Sequence, residues 1–580
     1  MHLHDLPPDA LRGSGAELQA LSFPYRHSAD QDAPTPVRHP VVVVGAGPVG
    51  LSLAIDLAQR GQRVVVLDND HKLSIGSRAI CFAKRALEIW DRLGVGQRMV
   101  DQGVSWNVGR VFFHEEPVYA FDLLPEEGHE RPAFINLQQY YAEAALVERA
   151  LALPQIDLRW HSIVTAVQPR ADGAEVTVQT PDGDYALQAD WLVACDGARS
   201  PLRAMLGQDT QGQVFRDRFL IADVRLPSDF VPGRTLAEGA AHLQDLAQAG
   251  AAVPSAAERW FWFDPPFHPG QSVLLHRQPD NVWRIDFQLG WDADPECEKK
   301  RENILPRVRA LLGDDARFEL DWASVYTFAC LRMERFVHGR VVFAGDSAHC
   351  VSPFGARGAN SGVQDTDNLA WKLDWVLSGR APESLVASYD EERTYAADEN
   401  LRNSTRSTDF ITPKSDVSRM FRDAVLELAR EHEFARKLVN SGRLSVPAVL
   451  QGSSLCTLDV DSFSATAAPG AVLPDAPVQQ GDVPRWLLRC LGADFTLLWF
   501  GVPPEWTQTL HCTQVLAVGT ELIDTRGLLT QRLDALPGTA YLIRPDQHVC
   551  ARWRKPTAQS VQAALHKACG HVAAAETAVA

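Results

Sequence analysis

No run of about 18 consecutive apolar residues occurs in this chain of 580, so no segment is expected to cross a membrane. Basic residues are in deficit. Lys and Arg number 56 against 73 Asp and Glu, a net charge of −17, which argues against nucleic acid as a default partner. None of the ten cysteines forms a C-x-x-C pair, so neither a zinc knuckle nor a dithiol redox centre is expected. His511-Cys512 has no companions at ligand spacing, and no metal site is expected. The first forty residues lack the basic start and apolar core of a secretion signal. They hold Pro7, Pro8, Pro24, Pro34, Pro36 and Pro40 instead, and read as an extended arm packed on the molecule or on a neighbouring subunit. Scattered thiols without a signal suit a reducing cytoplasm, the expected location. The length calls for roughly three domains.

What is present begins with four valines, Val41 to Val44, a pattern expected of a parallel strand buried on two faces. Gly45-Ala46-Gly47-Pro48-Val49-Gly50 follows as G-x-G-x-x-G. Leu51, Leu53, Ala54, Leu57 and Ala58 then recur at helical spacing. A second strand, Val64 to Leu67, ends on Asp68 with Asn69 beside it, 23 residues after Gly45. Each part has a physical task. Gly45 permits the tight turn, Gly47 lets backbone approach a pyrophosphate, and Gly50 allows helix to pack on strand. The helix N-terminus favours phosphate charge, and Asp68 can accept hydrogen bonds from ribose hydroxyls. The turn alone does not separate FAD from NAD.

Further along, Gly76-Ser77-Arg78 precedes a helical stretch from Ala83 to Trp90. Arg78 either reaches back over a bound cofactor or sits on the surface at a helix start. Gln138 and Gln139 precede a helix from Ala142 to Leu151. The strand Trp191 to Ala194 runs into Cys195-Asp196-Gly197-Ala198-Arg199. From about Phe219 to Phe328 the pattern becomes long and alternating. In Val282 to Leu289, Trp283, Ile285 and Phe287 face one side, and Arg284, Asp286 and Gln288 the other. One packed face and one polar face would make a ligand-cavity wall. Arg284 and Asp286 either touch substrate or pair with each other. The strand Val341 to Ala344 opens into Gly345-Asp346-Ser347-Ala348-His349, then Pro353-Phe354-Gly355-Ala356-Arg357-Gly358-Ala359-Asn360, with a helix over Gln364 to Leu377. A Ser/Ala/Pro/Gly-rich stretch at 462–477 reads as a linker. Strands at Phe495 to Phe500, Gln514 to Val518 and Thr539 to Arg544 suggest a small α/β unit beyond it.

Three motifs in this order, at 45–50, 196–197 and 345–360, resemble the FAD-dependent aromatic hydroxylases, the single-component flavoprotein monooxygenases. The third is the most specific. It departs from the family only in Ser347, where alanine is common, and Ser352, where proline is common. The resemblance implies an α/β fold: a Rossmann-type FAD-binding domain (39–215 and 329–400), an inserted β-sheet substrate domain (216–328), and a thioredoxin-like α/β domain (478–580). An N-terminal arm (1–38), a helical segment (401–461) and a linker (462–477) complete it. The C-terminal domain would serve packing or dimer support, with a homodimer as the assembly to test.

The resemblance also assigns roles. Asp346 would bind FAD ribityl or ribose hydroxyls. Gly358, Ala359 and Asn360 would present backbone N–H groups to the flavin N1/O2 edge, where reduced flavin carries negative charge. Pro353 would line the oxygen-adduct face. Asp196, Gly197 and Arg199 would lie near the pyrophosphate, and Arg78 and one glutamine, Gln139 fitting the spacing slightly better than Gln138, would contact FAD. The implied reaction uses NADPH or NADH to reduce FAD. O2 then gives a C4a-hydroperoxide, which hydroxylates a phenolic or other electron-rich aromatic substrate. The phenol hydroxylases hold tyrosine where Asp286 stands, so phenol specificity does not follow. Two other readings stay open. Trp260-Phe261-Trp262-Phe263-Asp264-Pro265 is similar to the W-x-W-x-I-P stretch of flavin-dependent halogenases, with Asp264 in place of isoleucine. The other is a flavin-binding assembly protein without hydroxylase turnover.

Overall fold

The valine run dictates the centre of the molecule. In the computed structural model, which describes residues 6–7, 9–76, 79–228, 257–439, 445–464, 466–511 and 513–571, Val41, Val42 and Val43 are fully buried. The strand Val37–Val44 pairs in parallel with Val64–Leu67 on one side and Gly183–Ala194 on the other. Val341–Phe343 lies in parallel beyond Gly183–Ala194. Strands covered on two faces need continuous apolar sequence, and residues 41–44, 64–67, 191–194 and 341–343 supply it. The register matters most. Val44 lies opposite Leu67 and Ala194, and Ala194 opposite Phe343. Every motif loop therefore leaves the same carboxyl edge of the sheet, where ligands of open α/β folds bind.

A second sheet of eight strands stands against this edge. Its longest members, Thr210–Arg225 and Glu319–Met333, pair antiparallel over most of their length. Trp260, Trp262, Trp283, Ile285 and Phe287 form its packed face, against Ile304, Val308 and Leu311 of the helix Arg301–Leu312. The sheet extends beyond the expected insert. The hairpin Val108–Phe113 and Glu116–Asp122, expected inside the FAD-binding segment 39–215, joins it through parallel pairing of Val108–Phe113 with Arg259–Phe263. His349–Cys350, from the third motif, pairs with its other end. The helix Ser384–Ile411 runs unbroken across the boundary expected at 400.

The last unit is a seven-stranded sheet. Phe495–Phe500 is parallel to Thr513–Val518 and antiparallel to Ala540–Ile543. The stretch expected to be a linker is packed instead. Ala467, Ala471, Leu473 and Ala476 are buried, and Val472 bridges to His548. Its small residues fit against the sheet rather than leaving the chain free. The N-terminal arm is also packed on its own chain: Phe23 is buried and stacks on Trp160 at 4.4 Å, and Leu11 and Leu18 join the same core. No helix among the described residues is long and apolar enough to cross a membrane.

Candidate active site

The glycine turn is built by close contacts. Gly45 has φ +109°, and a Cβ there would lie 2.4 Å from the Cys195 carbonyl oxygen. A Cβ on Gly50 would lie 1.9 Å from the Gly45 carbonyl oxygen. Gly47 is different: a Cβ there would meet nothing within 4 Å. Gly45 and Gly50 serve packing. Gly47 leaves open space in front of the helix Pro48–Gln59, whose first turn has Pro48 in place. Val49 packs against Gly345 and Gly362, where added Cβ atoms would come within 3.0 and 2.6 Å of its side chain. The N-terminal ends of two helices, Pro48–Gln59 and Gly358–Leu377, thus meet at the Gly345 turn. Their partial positive charges converge on one place, suited to a pyrophosphate and an anionic ring edge.

Asp68 reaches back to the turn. Its carboxylate accepts from Ala46 N at 2.5 Å and Asp70 N at 2.7 Å, while burial pushes its pKa up. Asn69 is exposed beside it. In the second motif, Asp196 accepts from Leu202 N at 3.0 Å, its other oxygen Oδ1 is buried without a hydrogen-bond partner, and burial raises its pKa. Gly197 has φ +80° with open space before it, and Arg199 is exposed.

In the third motif Asp346 is exposed at the same mouth. The turn that carries it is fixed from below by Asp365, which the sequence reading did not single out. Asp365 accepts from Gly345 N at 2.9 Å, His349 Nε2 lies 2.7 Å from it, and Arg393 Nε donates at 2.6 Å. Burial opposes its charge, yet His349 and Arg393 hold its pKa below the ordinary carboxylate value. Ser347 Oγ donates to the Ala194 carbonyl at 2.7 Å, tying the third motif to the strand that carries the second. Arg203 adds a bond to the Ser347 carbonyl at 2.9 Å. Pro353 is exposed and begins the turn before Gly358. Ala359 is half-buried in the first turn of the helix.

Asn360 is a clamp. Its Oδ1 accepts from Ala83 N at 2.8 Å, and its Nδ2 donates to the carbonyls of Cys81 at 2.9 Å and Ala356 at 2.6 Å. It locks the helix start to the strand Cys81–Ala83. Gln139 accepts from Ala79 N at 3.3 Å and donates to Glu143 at 2.8 Å, beside the segment that leads to Cys81. Gln138 points to the insert instead, donating to the Pro279 carbonyl at 3.3 Å. Arg78 lies outside the described residues.

The polar face of the second sheet is closed off from solvent. Arg284, Asp286 and Gln288 are 2%, 5% and 7% exposed. Arg284 does not pair directly with Asp286. It makes a bidentate bond to Asp223 on the neighbouring strand, at 2.8 and 2.7 Å, and lies over the Trp322 ring. Burial works against its charge, but Asp223 and Asp286 outweigh that and hold the guanidinium above its ordinary pKa. Asp286 accepts from the Tyr326 hydroxyl at 3.3 Å, and His276 faces it at 3.7 Å. Asp223, His276 and Tyr326 lie on separate strands, and no spacing in the sequence groups them. Trp260 and Trp262 are core residues stacked on Phe112, which accounts for the aromatic strand without halogenation chemistry.

Three features of the carboxyl edge fit FAD: open space before Gly47, an orphaned buried oxygen on Asp196, and two helix N-termini aimed at one turn. An FAD-binding domain model matches residues 38–404, and an aromatic-ring hydroxylase C-terminal model matches 466–572. The chain is 30% identical to a 12-dehydrotetracycline 5-monooxygenase/anhydrotetracycline 6-monooxygenase of Streptomyces rimosus, over 89% of this chain and 95% of that protein. It is 26% identical to a 3-(3-hydroxy-phenyl)propionate/3-hydroxycinnamic acid hydroxylase of Klebsiella pneumoniae, over 80% and 79%. The structure resembles the flavin-dependent monooxygenase PieE in complex with FAD and substrate in fold, with TM-score 0.77 at 21% identity over 93% of this chain and 100% of that one. It also resembles the OxyS anhydrotetracycline hydroxylase of Streptomyces rimosus, with TM-score 0.68 at 26% identity over the same shares. With the FAD-binding model spanning well over half its length, the chain belongs to the FAD-dependent aromatic-ring monooxygenases.

Proposed function

We propose that this flavoprotein takes electrons from NADPH or NADH and one atom of O2 to hydroxylate a phenolic or other electron-rich aromatic ring held on the polar face of the second sheet. The observation that carries the reading is the closure of that face, with Arg284, Asp286 and Gln288 at most 7% exposed, against the strand that Asn360 clamps to the flavin-side helix. FAD, when bound, supplies the redox chemistry that joins nicotinamide, oxygen and ring. The chain supplies binding, orientation and dryness. Gly47 and the helix behind it would take the pyrophosphate. Asp68 and Asp346 would take sugar and ribityl hydroxyls, with Asp196 and Arg199 flanking them. Gly358 and Ala359 would offer N–H groups to the ring edge that becomes anionic on reduction. Pro353 would border the space between ring and flavin. Arg284, fixed by Asp223, would contribute a static positive field beneath the substrate. A face kept from water favours oxygen transfer over loss of H2O2.

The test is a screen of the purified yellow protein with NADPH or NADH, using phenols and hydroxylated aromatic acids, with anhydrotetracycline and 3-hydroxycinnamic acid included. Stimulated NAD(P)H oxidation with a product one oxygen heavier is expected. If the FAD-loaded protein oxidises neither nicotinamide with any aromatic present, reduction comes from a separate protein or not at all, and the reading falls.

A further inference from the structure

The proline-rich arm takes no part in the site described above, and it lies outside the FAD-binding domain match, which begins at residue 38. Its packing shows what it does to the chain beside it. The helix Gly15–Ala20 opens on a complete capping box: the Ser14 hydroxyl accepts from Glu17 N, and the Glu17 carboxylate accepts from Ser14 N at 2.7 Å. A Cβ on Gly15 would lie 2.7 Å from the Tyr140 hydroxyl oxygen, so the arm helix sits directly on the helix Gln139–Leu151. Leu18 and Phe23 are fully buried. The arm is therefore a fixed element, able to hold a neighbour in place.

That neighbour is the crossing from Asp68 to Cys81. It starts at the carboxylate proposed to take sugar hydroxyls and ends at the strand that Asn360 clamps to the flavin-side helix. Its middle, residues 71–76, forms no helix or regular strand and is fastened from outside. Phe23 N donates to the His71 carbonyl at 2.7 Å, and Ser22 bridges to Lys72. Ser74 N donates to Glu143 at 2.7 Å. Gly76 N donates to Gln19 Oε1 at 2.9 Å. The Gln19 amide is oriented for this, because its Nε2 donates to the Gly15 carbonyl at 3.2 Å. Gly76 is also seated on its other side. It has φ +70°, and a Cβ there would come within 2.2 Å of the Trp322 ring, over which Arg284 lies. The arm and the second sheet thus grip Gly76 between them.

We infer that the N-terminal arm is a built part of the FAD site: it straps residues 71–76 beside the cofactor, and Gln19 is the positioning residue that holds Gly76. A segment with so few backbone bonds of its own opens easily unless it is tied down. Loosening its middle slackens the crossing between the sugar end and the flavin end, which is the motion FAD needs to leave. The inference rests on the FAD site and goes beyond the hydroxylation reading.

The experiment uses the full-length, FAD-loaded protein. FAD release after dilution is followed by flavin fluorescence, and amide hydrogen exchange is read over residues 71–76. Gln19→Ala is expected to release FAD about threefold to tenfold faster, the worth of one ordinary hydrogen bond, and to speed exchange at 71–76. Gln19→Glu keeps the acceptor oxygen and should recover most of both losses. Melting temperature is measured for each variant, and release is compared where all are folded. Release at the wild-type rate in Gln19→Ala overturns the proposal, whether or not exchange at 71–76 changes. Unchanged exchange also overturns it, since Gln19 would then not be what holds Gly76. Equal losses in Gln19→Ala and Gln19→Glu overturn it as well, because that marks packing of the arm rather than the bond to Gly76. These readouts need neither NAD(P)H nor an aromatic substrate, so a failed hydroxylation screen leaves the strap standing, and a failed strap leaves the hydroxylation reading standing.

Discussion

At the scale of single residues, the site is held by partners distant in sequence. The place of Asp346, exposed in the turn after a buried strand, is legible because glycine, strand and helix signals surround it. Asp365, which pins the turn beneath, sits on an ordinary helical stretch, and only the fold brings it to Gly345 N. Asp365→Asn replaces a buried carboxylate by a neutral amide between His349 and Arg393, so the turn should loosen. FAD is expected to dissociate about tenfold more readily, read by ultrafiltration and flavin fluorescence. Unchanged retention would show that the Gly345 turn is held by other contacts. Arg284 teaches the same lesson. The alternating pattern put it on the right face, but its partner Asp223 lies 61 residues earlier, on a neighbouring strand. Arg284→Ala strands a buried carboxylate and should destabilise by about 3–5 kcal/mol. A double Arg284→Leu, Asp223→Leu variant should recover most of that in urea unfolding. Coupling should suffer in either protein, with more H2O2 per NAD(P)H consumed, because the charge proposed to lie beneath the ring is gone. A double variant that folds and couples like the wild type would remove Arg284 from the site.

At the scale of elements, local signals gave the βαβ start, the three motif loops and the alternating strand Val282–Leu289, since each is encoded within about ten residues. Pairings between distant strands were not legible. Val108–Phe113 has the same alternation whether it pairs within the FAD-binding segment or with Arg259–Phe263, and only the tertiary fold decides. The 462–477 stretch misleads for a related reason: small residues and prolines suit a tether and a close-packed crossing equally well. Asp475 shows that this stretch is an interior element. It is 2% exposed, accepts from Leu488 N at 3.1 Å, and burial pushes its pKa up to about 6. A carboxyl raised by folding binds protons more tightly in the folded state, so its ionisation destabilises the fold as pH rises from about 4 through about 6. Asp475→Asn keeps the acceptor and removes the charge. It should stabilise by up to about 3 kcal/mol above pH 6, with the gain vanishing toward pH 4. Melting temperatures of the two proteins across that range test it; a gain that grows as pH falls would reverse the sign and refute the argument.

At the scale of the whole molecule, the C-terminal sheet braces the far end of the helix whose near end faces the proposed flavin site. Trp371 and Trp375, on the helix Gly358–Leu377, pack with Phe495, Leu497 and Trp499. Beside them Arg544 bonds to Glu392 and Asp546, and Lys372 bonds to Glu392 at 2.7 Å, all fully buried. Burial resists the charge on Glu392, yet Arg544 and Lys372 hold its carboxyl far below the ordinary range. Removing residues from about 470 onward would take away Arg544 and Asp546 and uncover two tryptophans. The remaining FAD-binding core still contains its own sheet and all three motif loops, so FAD binding should persist in whatever fraction stays folded. That fraction should be small, because Glu392 would keep Lys372 but lose Arg544, and uncovering Trp371 and Trp375 costs about 1.5–3 kcal/mol for each side chain fully exposed. These losses are comparable to the whole stability of an ordinary domain. Co-expressing the 470–580 segment as a separate chain should restore soluble yellow protein, since the contacts are all non-covalent. The check is size-exclusion chromatography with flavin absorbance on the truncated chain, alone and with the segment supplied. A truncated chain that is monomeric, flavin-loaded and unchanged in melting temperature would show that the two units fold independently and that the buried network contributes nothing to the flavin-side helix.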